Sequence, residues 1–352
     1  LGVLFIVGTD SLARLLELLS DGQLHSGASL GEALGISRAG VWKRVHAARA
    51  MGIPLNAQRG GYRLPAGFDL LVASKILEQC SAETRRALAG IDLLWSIDST
   101  NSHVMRCYQQ GEAQPVVVLA EQQTAGRGRR GRVWHSPLAG NIYLSLGWVF
   151  TEGLAAIEGL SLVVGLKVLE VLEQFGATGL QLKWPNDICW HQRKLAGILV
   201  DVQGDPSGIC QVATGIGINV NMPKVSASQI DQPWVDLVTV LGGGYTGKNV
   251  IVSRNTLVAA LLDQLVPVFQ SLPEKGFASY RQAWQQYDLC YGQPVCLLSG
   301  TTVLAGIGQG INAQGAYALR VDRAGEPSAL YYASGGEISL RLPGAIPGRA
   351  CT

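Results

Sequence analysis

No apolar run in the chain approaches the roughly 20 residues of a membrane span, so no membrane-spanning helix is expected. Net charge is scarce too. Lys and Arg number 28 against 26 Asp and Glu, leaving +2, which excludes a globally basic nucleic-acid binder and confines any DNA contact to a local patch. The seven cysteines (Cys80, Cys107, Cys189, Cys210, Cys290, Cys296, Cys351) show no Cys-x-x-Cys pair and no flanking histidine spacing. That argues against a disulfide framework or a zinc site and for reduced packing thiols in the cytoplasm. Internal repeats and low-complexity tracts are missing. Leu1 to Gly8 is apolar but lacks a basic segment and a small-residue cleavage site, so it is not read as a secretory signal; residues 1–10 are an extension of no assigned function. What is present is 352 residues, 47% hydrophobic, with 44 glycines. That suits two or three globular domains with many tight turns.

At the N-terminus, Leu12, Leu15, Leu16 and Leu19 recur at helical spacing from Ser11, and Asp21-Gly22 ends the run. A second short helix is expected over Leu30 to Leu34. Ser37 is a good N-cap for a third, with Val41, Val45 and Ala48 as its buried stripe. That third helix carries Arg38, Lys43, Arg44 and Arg49, and Arg59-Gly-Gly-Tyr-Arg63 reads as the turn of a small β-hairpin. The pattern is a winged helix-turn-helix, with Ser37, Arg38, Lys43, Arg44, Arg59 and Arg63 as candidate DNA contacts. Solvated arginines on a three-helix packing module are the alternative. Trp42 either packs on the wing or faces DNA.

The middle of the chain is organised around Gln122 to Ser145, where Arg127, Arg129, Arg130 and Arg132 interleave with Gly126, Gly128 and Gly131. Positive charge on so loose a backbone suits an anion. The glycines match a dinucleotide fingerprint, but the context is wrong: Trp134, Ser136-Pro137 and an alternating run (Ile142, Leu144, Leu146) follow, which is a strand and not a helix. A solvated basic hairpin or a nucleic-acid patch would have the same composition. Lys194, at the start of a strand over Leu195 to Val200, is alone no more than an exposed lysine pairing with Asp187 or solvent. Ser99 or Thr100 reads locally as an N-cap, and Asn186-Asp187 after Trp184-Pro185 as a turn.

Five stretches in order change that reading: Ser99-Thr100-Asn101, the Arg/Gly loop, Lys183-Trp-Pro-Asn-Asp187, Lys194-Leu-Ala-Gly197 and Gly215-Ile-Gly217-Ile-Asn219. Together they closely resemble the biotin protein ligases, from about Ser11 to about Leu342, and most of all the bacterial bifunctional members that also repress the biotin operon. The resemblance implies biotin contacts at Ser99, Thr100, Asn101, Gln123, Arg127, Gly128, Arg129, Lys194 and Gly197. It implies nucleotide contacts at Arg129, Arg130, Arg132, Trp134, Asn186, Asn219 and Trp234, with Asp187 as a ligand of Mg²⁺. Lys194, Arg127 and Arg129 would carry the catalysis, because bringing a carboxylate against an α-phosphate joins two anions that cations must neutralise. Val225, Ile230 and Trp234 fall in the segment that closes over adenine in the family, with Gln229 where an apolar residue is expected. The Arg/Gly loop is expected to be disordered without ligand and to fold over the adenylate.

The expected fold is α+β. Residues 1–67 form a winged helix-turn-helix. Residues 68–286, after a linker over Pro65 to Phe68, form a class II synthetase-like ligase domain with a central mixed β-sheet and helices. Residues 287–342 form an SH3-like β-barrel, and residues 343–352 a disordered tail. The expected activity is ATP-dependent formation of biotinoyl-5′-AMP and transfer of biotin to a lysine of the biotin carboxyl carrier protein of acetyl-CoA carboxylase. The adenylate would favour a homodimer on biotin operator DNA. A biotin-sensing repressor without ligase activity, or a lipoate ligase, are the rival readings.

Overall fold

The computed structural model describes residues 11–51, 53–64, 69–223, 230–242, 252–299, 302–322, 327–334 and 338–341. The N-terminal extension, the linker over Pro65 to Phe68, Val225, Gln229 and the tail lie outside them.

Helix α1 (Ser11–Leu19) buries the expected leucines, each no more than 7% exposed. Helix α2 (Gly27–Leu34) begins three residues earlier than the hydrophobic spacing indicates, because the Ser26 hydroxyl accepts the Ser29 N–H and caps it there. Ser37 caps α3 (Arg38–Ala50) through the Gly40 N–H, and Val41, Val45 and Ala48 face inward. Strands β1 (Asn56–Gln58) and β2 (Gly61–Arg63) pair as the wing, and Tyr62 exchanges backbone hydrogen bonds with His25, fastening the wing to the start of the second helix.

Two short helices follow where one was expected over Leu70 to Cys80: α4 (Ala73–Gln79) and α5 (Ala82–Ala87), the second capped by Ser81. Then come β3 (Ile91–Ile97), α6 (Thr100–Gln109), β4 (Val116–Gln123) and β5 (Ile142–Phe150). The long helix expected over Ala155 to Phe175 is broken into a 3-10 turn (Leu154–Ile157) and α7 (Leu160–Gln174). Gly159 sits between them at φ 78°, where a Cβ would lie 2.6 Å from the Phe277 ring, so the chain turns to let that ring in. Strands β6 (Leu180–Lys183), β7 (Asp187–Trp190), β8 (Arg193–Gly204) and β9 (Cys210–Ile218) complete a seven-stranded sheet of order β3-β4-β5-β9-β8-β7-β6, in which only β3 and β4 run parallel.

Beyond a short α8 (Leu237–Val240), α9 (Arg254–Lys275) runs past the expected end at Phe269, and α10 (Arg281–Gln286) follows. By length and composition α9 meets the test for a membrane span that the sequence was expected to lack, but 56% of its apolar window is buried. It packs on α7 across one face of the sheet and is a core helix. Strands β10 (Pro294–Ser299), β11 (Thr302–Ile311), β12 (Tyr317–Val321), β13 (Ala329–Ala333) and β14 (Ile338–Arg341) form an antiparallel sheet of order β13-β12-β11-β10-β14. Its edges β13 and β14 do not pair with each other, so among the described residues it is an open sheet, not the closed barrel expected.

The core does not respect the expected boundary at residue 286. Val295, Ile311, Tyr317 and Leu319 of the last sheet share one apolar cluster with α7 and α9. A second cluster joins the helix-turn-helix core to Leu70, Leu138 and Ala139. Cys80, Cys107, Cys189, Cys210 and Cys290 are free, as expected. Cys296 is disulfide-bonded, against the expectation of thiols throughout.

Candidate functional site

One face of the large sheet is closed by α7 and α9. The other receives α6, which leaves the middle strands bare at its N-terminal end. The cross-strand register sets the floor there: Gly197, Gly217 and Tyr143 form one row across β8, β9 and β5, and Leu199, Gly215 and Ser145 the next. The glycines make the floor approachable. A Cβ on Gly215 would stand 2.5 Å from Asn101 Oδ1, and one on Gly217 2.5 Å from the Trp134 ring.

A cleft of about 470 Å³, solvent mouth included, lies over this floor and brings together all nine residues expected to contact biotin: Ser99, Thr100, Asn101, Gln123, Arg127, Gly128, Arg129, Lys194 and Gly197. Trp134 and Asn186 line it as well. At its closed end, Ser99 caps α6 through the Ser102 N–H, so its local reading as a cap holds while it also borders the cleft. Gln123 accepts from the Thr100 N–H at 2.9 Å and from its hydroxyl at 3.1 Å, and donates to Ser136 Oγ at 3.0 Å. This amide ties the helix start to the far stem of the Arg/Gly loop. Asn101 is buried and donates to Leu199 O and to Asp201 Oδ2, both at 3.1 Å. Ser145 Oγ lies 2.7 Å from Thr100 Oγ1 and 2.6 Å from Asn101 Oδ1.

The Arg/Gly loop folds back over the sheet and does not stand open. Gly128 N donates to Arg132 O at 2.7 Å, Trp134 N to Gly126 O at 2.9 Å, and Arg127 and Val133 form a bridge. Arg130, at φ 60°, takes the left-handed conformation at the tip and projects into solvent with Arg132; neither lines the cleft. Arg127 reaches across to Asp201 at 2.6 Å, and Arg129 donates to Asn186 Oδ1 at 3.3 Å. Burial pulls the Arg129 pKa below its ordinary value, with the Asp187 carboxylate opposing and Arg130 and Arg132 adding to the fall.

Lys194 stands on β8 with only 16% of its side chain exposed. Its Nζ lies 2.7 Å from Asp187 Oδ1 and 5.2 Å from the Trp134 ring centre. The pairing with Asp187 raised as an alternative on sequence grounds is thus present, between two largely buried side chains and not in solvent. The close pair does not have hydrogen-bond geometry, so among the described residues Oδ1 makes no hydrogen bond. Trp134 covers Gly197 and Gly217, and its buried Nε1 has no hydrogen-bond partner among the described residues. The donors near Asp187 do not make a metal's ligand set: this carboxylate already faces an ammonium, and Asn186 Oδ1 faces a guanidinium.

Two expected nucleotide contacts are placed otherwise. Asn219 is buried and donates to Val235 O at 3.2 Å and Lys194 O at 3.4 Å, holding the backbone on either side of the lysine. Trp234 flanks the same lysine through the hydrogen bonds of Pro233 and Val235 to Lys194, without lining the cleft. Sequence reasoning missed Asp201, Ser145, Tyr143 and Leu199. Only the two-residue alternation along β5 and β8, once the register is known, puts Tyr143 and Leu199 on the floor, with Ser145 and Asp201 further along the same strands, bonded to Asn101.

On the N-terminal module, Arg38, Lys43, Arg59 and Arg63 are exposed, as is the capping Ser37. Arg44 is not a free groove contact: half-buried, it is hydrogen-bonded to Ser11 Oγ and to Gly40 O. Trp42 faces outward, 52% exposed, with its ring centre 4.1 Å from that of His46.

The profile of the Biotin/lipoate A/B protein ligase family matches residues 94–221, and that of an HTH domain residues 12–63. The bifunctional ligase/repressor BirA of Escherichia coli K12 is 39% identical over 332 residues, 93% of this chain and 96% of its own. The biotin--[acetyl-CoA-carboxylase] ligase of Paracoccus denitrificans is 35% identical over 234 residues, 65% of this chain and 93% of its own. Among solved structures, the biotin protein ligase from Aquifex aeolicus in complex with biotin and ATP aligns with a TM-score of 0.60 and 27% identity, covering 72% of this chain and 100% of that one. With a DNA-binding module ahead of this cleft and a relative matched over nearly the full length of both chains, the protein belongs to the bifunctional ligase/repressor branch of the biotin protein ligases.

Proposed function

We propose that the chain joins biotin to ATP and passes the biotinoyl group to a carrier lysine. The observation that carries this reading is the convergence of Lys194, Arg127 and Arg129 with the polar start of α6 on one glycine-floored cleft. The ureido ring offers a carbonyl acceptor and two N–H donors, matched at the closed end by Ser99, Thr100, Asn101 and Gln123. The aliphatic tail then lies along Gly215 and Gly217 under Trp134, which brings the carboxylate to Lys194.

In the first step a carboxylate oxygen attacks the α-phosphorus, the bond to the β-phosphate breaks, and pyrophosphate leaves. Lys194 turns from Asp187 to bridge the two anions, while Arg127 and Arg129 hold the phosphate oxygens. Magnesium enters with ATP as counterion of its phosphates and not as a resident of Asp187. In the second step the acceptor amine attacks the acyl carbon, AMP leaves, and the amine gives up one proton. Between the steps the loop shields the anhydride from water. The acceptor is the carrier domain of acetyl-CoA carboxylase, the enzyme after which the Paracoccus relative is named.

The C-terminal sheet, an incomplete SH3-like barrel in this reading, supports the nucleotide and docks the carrier. The adenylate favours a homodimer that presents two N-terminal modules to operator half-sites, with Lys43 and Arg38 on the exposed face of α3 and Arg59 and Arg63 on the wing. Incubation with biotin, MgATP and a carrier domain should raise the acceptor mass by one biotinyl group. Biotin-dependent pyrophosphate exchange should occur, with lipoate inactive in its place. No exchange with biotin would leave a repressor that only senses the vitamin, and exchange with lipoate would change the substrate.

A further inference from the structure

We infer that Asp92, His103 and Cys107 form a binding site for a single transition-metal dication of the zinc type, on the side of α6 away from the ligand cleft. His103 and Cys107 stand four residues apart on that helix and therefore on one face, one turn apart. Asp92 comes from β3. One donor atom from each, an imidazole nitrogen, a thiol sulfur and a carboxylate oxygen, all lie within 4.8 Å of one another, and all three residues are half-buried.

One donor pair already has the spacing that the metal requires, and the third donor lies within 4.8 Å of both. Ligands at the zinc distances of 2.0 to 2.3 Å and tetrahedral angles sit roughly 3.3–3.6 Å apart. His103 Nε2 and Asp92 Oδ2 are already 3.6 Å apart, too far for a hydrogen bond between them. The carboxylate and the ring face each other as a loose pair, and the Asp92 charge also acts on the Cys107 thiol. Three donors of different chemistry gathered within 4.8 Å differ from a solvated acidic patch. Mixed sulfur, nitrogen and oxygen donors select a borderline cation over Mg²⁺ or Ca²⁺. The surrounding charge agrees: Glu112 adds negative potential at Cys107, and the nearby Arg106 is held by Asp98 in a two-pronged pair at 2.8 Å. On binding, the thiol proton leaves to solvent, the sulfur donates as thiolate, and a water completes four-coordination; nothing is oxidised or reduced.

The sequence hid this site because a His-x-x-x-Cys pair inside one helix gives two ligands only, and the third comes from a separate strand upstream of it. A cation here would fasten α6 to β3, and the first turn of α6 is the closed end of the cleft. The inference does not depend on the proposed ligase chemistry.

The test uses the full chain, stripped with a chelator and titrated with Co²⁺ as a spectroscopic stand-in for Zn²⁺. One equivalent should produce a thiolate-to-cobalt charge-transfer band in the near ultraviolet, abolished by one equivalent of Zn²⁺, and Zn²⁺ should raise the melting temperature. Cys107→Ser, and Asp92→Asn at its strand position outside the helix, should each lose the band and the thermal shift. Both should keep wild-type biotin-dependent pyrophosphate exchange, which shows that they fold. A wild-type chain with no thiolate band would overturn the site, as would a band that survives Cys107→Ser and so belongs to another thiol.

Discussion

Lys194 is held between two demands. It must lie in a site dry enough for its charge to act strongly on a phosphate, yet a buried ammonium needs a partner, and Asp187 at 2.7 Å supplies one. The pair lacks hydrogen-bond geometry, so the ammonium can turn to a ligand anion without breaking a well-formed hydrogen bond. Lys194→Ala should therefore lower the adenylation rate about 10²- to 10³-fold, as loss of one preorganised cation does, with a much smaller effect on folding; biotin-dependent pyrophosphate exchange measures it. Lys194→Arg should not restore the rate. The guanidinium is a planar fork and not a compact point charge, so it cannot sit between the carboxylate and the α-phosphate as the ammonium does. Arg129 is the other decisive residue. Its link to Asn186 fastens the loop to the floor, so Arg129→Gly should release the anhydride and label bystander lysines in a mixture of unrelated proteins. If mass mapping finds only the specific carrier lysine labelled, the loop is not the barrier assigned to it.

At the level of elements, the stems of the Arg/Gly loop are anchored by a buried network. Glu121, near the end of β4, pairs with Arg254 at the start of α9 at 2.7 Å, with side chains only 3% and 4% exposed. Arg254 also donates to Asn141 O, next to β5, and to Asp69 O, while Glu121 accepts from the Leu71 N–H. One guanidinium thus joins both stems of the loop to the chain leaving the N-terminal module. Arg254→Met should cost about 3–5 kcal/mol in urea unfolding, since it leaves a carboxylate buried without its cation. A loss under about 1 kcal/mol would mean that water reaches Glu121. None of this was legible in advance. Glu121 lies beside a continuous apolar strand and Arg254 at a helix start 133 residues away, and no local pattern connects them. The helix-turn-helix, by contrast, was readable apart from the first turn of α2, where the Ser26 cap was missed, because its leucine spacing and the Ser37 cap are local. Errors in helix limits, at Gly159 and at α5, arose where packing or a serine cap overrode the apolar count.

Across the whole molecule, the last sheet is welded to the ligase domain and is not appended to it. Trp184, in the Trp-Pro-Asn-Asp turn whose Trp184–Pro185 peptide is cis, donates from Nε1 to Gly315 O at 3.0 Å, and Leu182 brackets Asp288 through backbone hydrogen bonds. Asp288 accepts from Tyr317 Oη at 3.0 Å and from Cys290 N at 2.9 Å, and desolvation raises its pKa from 3.8 to about 6 against those hydrogen bonds. The fold therefore prefers the protonated carboxyl. The contribution is fully present below about pH 4 and is lost as pH rises through about 6. Asp288→Asn removes the penalty of the charged form, so the variant should gain about 2–3 kcal/mol on the wild type between about pH 4 and 7. Paired denaturation curves check this, and a difference that does not change with pH would place water at the carboxyl.

The sequence alone determined the order of the modules, the cationic loop and the lysine strand, because each is written in short stretches whose spacing survives any tertiary arrangement. It did not determine that the last strands form an open sheet sharing the ligase core, that Asn219 donates to the Lys194 carbonyl, or that Tyr143 and Leu199 line the cleft. Those were decided by strand register and by helices meeting across long separations in the chain. Register puts alternate side chains on opposite faces, and a one-residue shift exchanges the two sets; only the assembled sheet fixes which set the cleft receives.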